Sequence, residues 1–304
     1  MNSPNFFIVG AMKAGTTSLY HYLSQHPEIY MSPIKEPNYF SRDLTEDLDN
    51  YNNINLRKYF SINKLKKIHF ACVTQFDDYI KLFKDVRYEK AIGEASTSYL
   101  YSKVAAKEIN KFIPSAKIIM ILRNPIDRAY SHYLMDVQQG IITNKNFIED
   151  IKDNFNKIDE CPYIKIGCYY RQVKQYITTF PNSQIKIILY DDYKRYPLKI
   201  IQEIFEFLCV SKDFVPNIRQ NYNIGAIPKY PKISKFIVET NNKFKTIIPY
   251  KIKPFLNRLY HRFFLKEKRT LSASERKFLL RYFKEDIEKL ATLIDRDLSI
   301  WLEP

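Results

Sequence analysis

A short segment near the amino terminus combines glycines, a lysine and hydroxyl residues in an order suited to binding an anion. It spans residues 10–18, Gly-Ala-Met-Lys-Ala-Gly-Thr-Thr-Ser, and contains two of the six glycines in the chain. A loop between a strand and a helix directs backbone N–H groups and a helix N-terminus at one point, which favours phosphate or a similar anion. Lys13 adds a mobile positive charge, and Thr16, Thr17 and Ser18 add hydroxyl donors. The alternative interpretation is an ordinary strand–helix turn with an unrelated lysine.

The spacing of the two glycines in this loop matches a Walker A loop, but the position of the lysine does not. Walker A requires a lysine directly after the second glycine. Here Thr16 follows Gly15, and Lys13 lies two residues before that glycine. A P-loop nucleotide kinase is therefore an alternative function that the lysine position disfavours.

A second candidate anion site follows the clearest strand of the chain, residues 117–122. In a P-loop kinase the comparable strand commonly ends in an acid that holds magnesium, whereas this one is followed by Arg123. Pro125 is a favoured first residue of a helix, which would put Ser131 on the second helical turn. We predict that Arg123 and Ser131 together hold a second phosphate, with arginine as a forked charged donor. The alternative is an arginine at a helix start with a buried serine.

The order of the elements predicts an α/β fold with a P-loop-like parallel central sheet flanked by helices. Strands are predicted at 6–9, 29–31, 91–93, 117–122 and 184–190. Helices are predicted at 16–25, 76–83, 101–112, from Pro125, at 163–180, at 198–208 and at 273–294, the last capped by Ser272. Residues 42–75 are not assigned. We predict a single domain over 1–304, with a core of about 1–228 and 270–304 and a basic, lid-like insertion at about 229–269.

The composition is strongly basic, and the charge is unevenly distributed. The chain has 304 residues and a net charge of +15. Residues 229–269 contain twelve Lys or Arg and two Glu, a net charge of +10. Such an excess favours acidic partners without choosing among nucleotides, acidic glycans, membranes and nucleic acids. A non-enzymatic nucleic-acid-binding protein is a second alternative, disfavoured because no RRM, KH or zinc pattern accompanies the charge.

The remaining sequence signals concern metals and location. The four cysteines form no C-x-x-C pair, so we predict no metal site. We interpret the cysteines as scattered, buried and reduced thiols, with a pair between Cys161 and Cys168 as the alternative. The apolar run at residues 6–9 is too short for a signal peptide, and no run has the length of a membrane span. We therefore expect a cytoplasmic protein, with the basic stretch able to contact a membrane surface.

Taken together, the two anion segments resemble motifs of PAPS-dependent sulfotransferases, in the bacterial branch related to heparan sulfate and other carbohydrate sulfotransferases. Residues 13–20 resemble the 5′-phosphosulfate loop of that family, and residues 119–133 resemble its 3′-phosphate motif. Further similar segments lie at 35–40, 93–99, 167–169, 180–190 and 295–301. The resemblance covers most of the chain apart from about 42–75 and 230–268. It implies PAPS as the donor, PAP as the product and no metal.

The resemblance also implies roles for individual residues at the donor. The backbone amides of Ala14, Gly15, Thr16 and Thr17, with Ser18 beside them, would hold the 5′-phosphate, and Lys13 would neutralise the charge that develops on it. Arg123 and Ser131 would hold the 3′-phosphate. Lys229 resembles a residue of the late loop that closes over the 3′-phosphate and the adenine.

For the acceptor, the resemblance implies Glu36 as the base that takes the proton from a hydroxyl or an amine. The alternative is that Glu36 only pairs with a neighbour such as Lys35, and Glu94 is the second candidate base. Two positions depart from heparan-type enzymes, which carry His where this chain has Asn38 and Lys where it has Ala95. The expected acceptor is a glycan or another small or lipid-linked metabolite, and not a nucleic acid. We interpret three histidines as structural: His21, His26 and His132.

Overall fold

A computed structural model describes residues 2–49, 54–142, 146–154, 158–219, 227–228, 265–266 and 269–303. The chain forms two compact units, which we describe separately. The first comprises Met1–Asn124, Cys168–Asn223 and Asp286–Leu298. The second comprises Pro125–Gly167, Ile224–Glu285 and Ser299–Pro304.

A five-stranded parallel sheet forms the centre of the first unit, in the order β2-β5-β1-β6-β7. Strands β1 and β6 are buried along nearly their whole length, because their continuous apolar sequences are covered on both faces. The sheet confirms the predicted α/β class. The strands are β1 (Phe6–Gly10), β2 (Ile29–Met31), β5 (Ala91–Ala95), β6 (Lys117–Leu122) and β7 (Ile185–Leu189).

A small second sheet lies in the segment that the sequence left unassigned. Strands β3 (Ile34–Glu36) and β4 (Ile68–Phe70) pair in parallel, with Ile34 opposite Ile68 and Glu36 opposite Phe70. Each strand has only three residues and carries polar side chains, so neither shows a strand period in the sequence. This pairing holds Glu36 in the first unit.

Helices follow the strands of the first unit. They are α1 (Thr16–Leu23), α2 (Thr45–Asp49), α3 (Leu56–Phe60), α4 (Phe76–Lys81), α5 (Ser98–Tyr101), α6 (Ala105–Phe112), α10 (Tyr169–Ile177), α11 (Tyr190–Arg195) and α12 (Pro197–Phe207). Short 3₁₀ turns occur at Arg42–Leu44 and Asn182–Gln184.

The second unit carries α7 (Pro125–Gln138), α8 (Phe147–Asn154) and α9 (Pro162–Lys165), with 3₁₀ turns at Ile158–Glu160 and Ser299–Leu302. It also holds a short antiparallel pair, β8 (Ile227–Pro228) and β9 (Leu265–Lys266). The long helix α13 (Ala273–Ile294) has the predicted bounds; its residues belong to the second unit as far as Glu285 and to the first from Asp286. Ser272 caps it reciprocally with Glu275: Ser272 Oγ accepts from the Glu275 N–H at 3.3 Å, and the Glu275 carboxylate accepts from the Ser272 N–H at 2.8 Å.

Two of the predicted helices are wrong as continuous elements. The predicted helix at 101–112 breaks at Ser102, whose backbone is extended and whose Oγ accepts from the Ala105 N–H at 3.1 Å, which caps α6. The predicted helix at 163–180 breaks after Lys165. Gly167 follows, and an added Cβ there would approach the Phe283 ring to 2.9 Å. Periodicity extends across both breaks, so the sequence pattern alone did not reveal them.

Cys72, Cys161, Cys168 and Cys209 are all free. The prediction that they are buried is correct for Cys72 and Cys161 and wrong for Cys168, which is half-buried, and Cys209, which is exposed. Within the described parts of the chain, no helix is long and apolar enough to cross a membrane.

Gly93 in β5 packs directly against the Phe6 ring of β1, which gives a test of the packing. A Cβ added at this position would lie 2.1 Å from the Phe6 ring, so we expect Gly93→Ala to overpack the contact between β5 and β1. The expected loss is about 1–3 kcal/mol in the free energy of unfolding, measured by urea denaturation. The double variant Gly93→Ala/Phe6→Leu should recover part of that loss. An unchanged unfolding midpoint in Gly93→Ala would contradict the described packing.

Candidate active site

The predicted anion loop has the backbone geometry that its sequence indicates. Lys13 and Gly15 both adopt left-handed conformations, with φ of 66° and 88°, and α1 begins at Thr16. The N-cap residue Gly15 has no side chain to occupy the helix start, and the first turn contains no acid. Helix geometry leaves first-turn N–H groups without an intrahelical acceptor, so this end of α1 is suited to an anion.

Arg123 is held directly against this loop. Its Nη1 donates a hydrogen bond to the Lys13 carbonyl at 2.9 Å, and its guanidinium carbon lies 4.8 Å from the centre of the Tyr190 ring. Tyr190 also touches the loop, because a Cβ added at Gly15 would lie 3.1 Å from its ring. The carboxyl ends of β1, β6 and β7 therefore bring together the loop, a cation and an aromatic ring, the edge where parallel α/β sheets bind ligands.

The other two predicted donor residues do not join this group in the described structure. Ser131 lies on the second turn of α7, as predicted, but α7 belongs to the second unit, so its pairing with Arg123 stays a prediction. Lys229 and nearly all of the basic stretch 229–269 lie outside the described residues.

Glu36 ends β3 and carries two side-chain partners. Lys35 Nζ lies 2.5 Å from Oε1, and the Thr97 hydroxyl donates to Oε2 at 3.1 Å. The Lys35 side chain is only 2% exposed, whereas that of Glu36 is 14% exposed. Burial raises the pKa of Glu36, but the charges of Lys35 and His69 and the two hydrogen bonds together lower it below its usual value. Glu36 is therefore an ionised, partly accessible carboxylate. The pairing with Lys35, which was the alternative to a role as base, is present.

The two departures from the heparan-type pattern have structural explanations. Asn38 is buried and left-handed, with φ of 57°, and its side chain bonds the Glu36 carbonyl and the Ser98 hydroxyl at 2.8 and 2.7 Å. It shapes the turn after β3. Ala95 is buried inside β5, and the cation beside Glu36 is Lys35.

Glu94, the second candidate base, is sealed inside the protein. Its side chain is 0% exposed, and burial raises its pKa to about 7, with the hydroxyl groups of Tyr99 and Tyr79 lowering it only in part. A base has to reach the proton that it removes. This burial favours Glu36 over Glu94 as the base.

His69 is a site residue that the sequence reasoning missed. It lies on β4, beside Lys35 on the neighbouring strand, and interacts electrostatically with Glu36 and Lys13. The only sequence signal would have been the β3–β4 pairing itself. Of the histidines interpreted as structural, His26 is buried and bonds the Ser211 carbonyl and the Glu28 N–H, and His132 packs edge-on against Tyr163.

Across the described part of the chain, no three His, Cys, Asp or Glu side chains are grouped to hold a metal ion.

The pKa of Glu94 gives a pH-dependent stability test. Because this carboxyl has a folded-state pKa of about 7 and an ordinary value of 4.5, the unfolded chain releases the proton first, and stability falls as the pH rises between those values. A glutamine at this position cannot titrate. We therefore expect the difference in unfolding free energy between pH 5 and pH 8 to be up to about 3 kcal/mol smaller in Glu94→Gln than in the wild type, as measured by urea unfolding. Glu36→Gln is the matched control. Glu36→Gln removes a carboxyl group whose pKa is lowered in the folded state. The loss of unfolding free energy in this variant should therefore be greatest at neutral pH and smaller in acid. Equal effects of Glu94→Gln at both pH values would contradict the assignment.

Comparison with known proteins agrees with this geometry. The sulfotransferase domain family matches residues 3–224. A crystal structure of a sulfotransferase from Alicyclobacillus acidocaldarius is similar over 99% of both chains, with a TM-score of 0.67 and 30% identity.

Curated relatives are also sulfotransferases. Mouse carbohydrate sulfotransferase 15 is 25% identical over 80% of this chain and 52% of its own length. Mouse bifunctional heparan sulfate N-deacetylase/N-sulfotransferase 4 is 27% identical over 69% of this chain and 23% of its own length. The chain thus spans about half the length, or less, of these relatives. The family match and the bacterial structure confirm the resemblance found in the motifs: the chain belongs to the sulfotransferase family.

Proposed function

We propose that this enzyme transfers a sulfuryl group from PAPS to a hydroxyl or an amine of an acceptor. The observation that carries the proposal is the contact between Arg123 and the Lys13 carbonyl. It joins a forked cation to the anion loop at one sheet edge, which suits a nucleotide with phosphate groups at two positions.

The donor site in this proposal is built from the loop and the two neighbouring strand ends. The amides of Ala14, Gly15, Thr16 and Thr17, with the Ser18 hydroxyl, would bind the 5′-phosphosulfate at the start of α1. Arg123 would bind the 3′-phosphate, and Tyr190 would hold the guanidinium plane in place. Ser131 and Lys229 keep their predicted roles at the 3′-phosphate. No metal takes part in the proposed step.

The proposed chemistry is an in-line displacement at sulfur. The acceptor oxygen or nitrogen forms a bond to sulfur while the bond between sulfur and the phosphate oxygen breaks, and PAP leaves. Glu36 takes the proton that the acceptor loses, and Lys13 stabilises the charge that develops on the leaving phosphate oxygen. Lys35 and Thr97 hold the Glu36 carboxylate in one orientation, which contributes to alignment.

The names of the relatives guide the proposed acceptor. They are a carbohydrate sulfotransferase and a heparan sulfate N-sulfotransferase, so we propose a glycan or a lipid-linked saccharide as the acceptor class. The proposed location is the cytoplasm, with the basic stretch available for a membrane surface.

Two other functions fit the residues less well. A P-loop kinase would use a lysine directly after Gly15 and an acid after β6, where this chain has Thr16 and Arg123. Metal-dependent binding of ATP would favour it. A nucleic-acid-binding protein would bind plain RNA or DNA with a steep salt dependence and without preference for PAP.

The proposed donor site predicts selective binding of PAP, measured by calorimetry without metal. Wild-type protein should bind PAP more tightly than 5′-AMP, and Arg123→Ala should lose about ten-fold or more in PAP affinity, because charged hydrogen bonds contribute about 1.5–3 kcal/mol. The loss should be much smaller for 5′-AMP, which has no 3′-phosphate.

A matched control is Arg195→Ala. Arg195 also lies over a tyrosine ring, 5.2 Å from the centre of Tyr196, but on the exposed part of α11. This variant should bind PAP like the wild type. Absence of PAP binding by folded wild-type protein would reject the proposed donor, and magnesium-dependent ATP binding would favour the kinase.

A further prediction concerns Glu36, the proposed base. With labelled PAPS and a panel of saccharide acceptors, Glu36→Gln should lower the transfer rate by about 10²–10⁴-fold, the usual effect of removing a general base. Its PAP affinity should stay unchanged, because Glu36 is not at the donor. Glu94→Gln should keep most of the transfer activity. The reverse result, with Glu94→Gln inactive and Glu36→Gln active, would make Glu94 the base.

A further inference from the structure

A lysine and a histidine lie on one face of the small β3–β4 sheet. Lys67 immediately precedes β4 and His69 lies within it, so the two alternate with Ile68 and Phe70 and point to the same side. Both are exposed to solvent. The opposite face carries the apolar residues of the strand.

Helix α1 brings a third group to this face. The Lys67 ammonium lies 6.0 Å from the centre of the Tyr20 ring, and the His21 ring meets the same Tyr20 ring edge-on at 5.2 Å. Tyr20 is fixed in turn, because its hydroxyl donates to the Ser32 carbonyl at 2.7 Å. His21 and Lys67 therefore both lie against one buried aromatic ring.

This cluster adjoins the candidate base. The strand register places His69 next to Lys35, whose ammonium contacts Glu36 at 2.5 Å. The charged groups that act on His69 are Lys35, Glu36 and Lys13. Those that act on His21 are Lys67, Lys35 and His69.

Positive charge exceeds negative charge in this cluster. Among the described residues, the carboxylate that acts on this cluster is Glu36, which is already engaged by Lys35 and Thr97. Within the described residues, neither Lys67 nor His69 forms an ion pair with a carboxylate. The pKa values of His21 and His69 are both lowered, first by desolvation and then by the neighbouring cations. A bound anion would offset this repulsion and favour the charged imidazolium forms.

We propose that His21, Lys67 and His69 form a subsite for an anionic group, a carboxylate or a sulfate, that the acceptor carries close to the position that is sulfated. The proposal rests on the proposed sulfotransferase function and specifies its acceptor. It assigns these residues to acceptor recognition. By linkage, an anion that raises the pKa of His21 and His69 binds more tightly as the pH falls through their titration range.

The test uses the full chain saturated with PAP, so that the donor site is filled. The imidazole resonances of His21 and His69 are titrated by NMR with and without inorganic sulfate, and with glucuronate or glucose. Sulfate and glucuronate should raise the pKa of both histidines, and glucose should not. His26, which is bound to backbone groups, is the internal control and should not respond.

The double variant Lys67→Gln/His69→Gln tests the assignment, with His21 as the reporter. It should lose about ten-fold or more in sulfate affinity, because two charged partners are removed. The single variant Lys67→Gln, which leaves His69 in place, should keep the wild-type affinity for PAP. Lys66→Gln, the same charge change one residue earlier, should behave like the wild type.

Three results would overturn the subsite. The first is sulfate affinity that survives in the double variant, since the anion would then bind elsewhere, such as beside Lys13. The second is a response to sulfate without a response to glucuronate, which would leave a site for free anions only. The third is no response of either histidine to any anion. PAP affinity in the same samples separately tests the proposed donor.

Discussion

The site depends on how β1 is paired with β6. The Ala11 N–H donates to the Ile121 carbonyl at 2.7 Å, which ties the start of the anion loop to the end of β6. Because parallel neighbours end at the same edge, this pairing brings Arg123 to the Lys13 carbonyl. The apolar residues of both strands are fully buried, so the hydrophobic core sets the relation between the loop and its cation.

The second half of the site depends on a weaker element. The β3–β4 pair has only three residues in each strand, yet it sets the positions of Lys35, Glu36 and His69. Backbone bonds from Ala71 to Glu36 and from Val73 to Pro37, at 3.1 and 2.9 Å, extend the attachment beyond the strands. Buried Asn38 adds side-chain bonds to α5. Polar contacts therefore add to the buried apolar residues, such as Ile34, Phe40 and Val73, that hold this part of the site.

This contrast explains what the sequence could predict. The buried strands and the anion loop leave local signals, a run of apolar residues and a glycine spacing, and β6 and α13 have the predicted bounds. Pairing between Glu36 and Phe70 is non-local and leaves no period, so His69 was missed. The breaks at Ser102 and Gly167 depend on a side-chain cap and on one close contact, which hydrophobic periodicity does not report.

The ion pair between Lys35 and Glu36 has a consequence for how this site can change over time. The two charges are adjacent in the chain and mostly buried. Replacement of either residue alone would leave the other charge buried and unpaired, which typically lowers the free energy of unfolding by about 3–5 kcal/mol. Replacement of both by neutral residues avoids that cost. We therefore expect Lys35 and Glu36 to be kept together or replaced together, so that divergence at these two positions would proceed by paired substitutions.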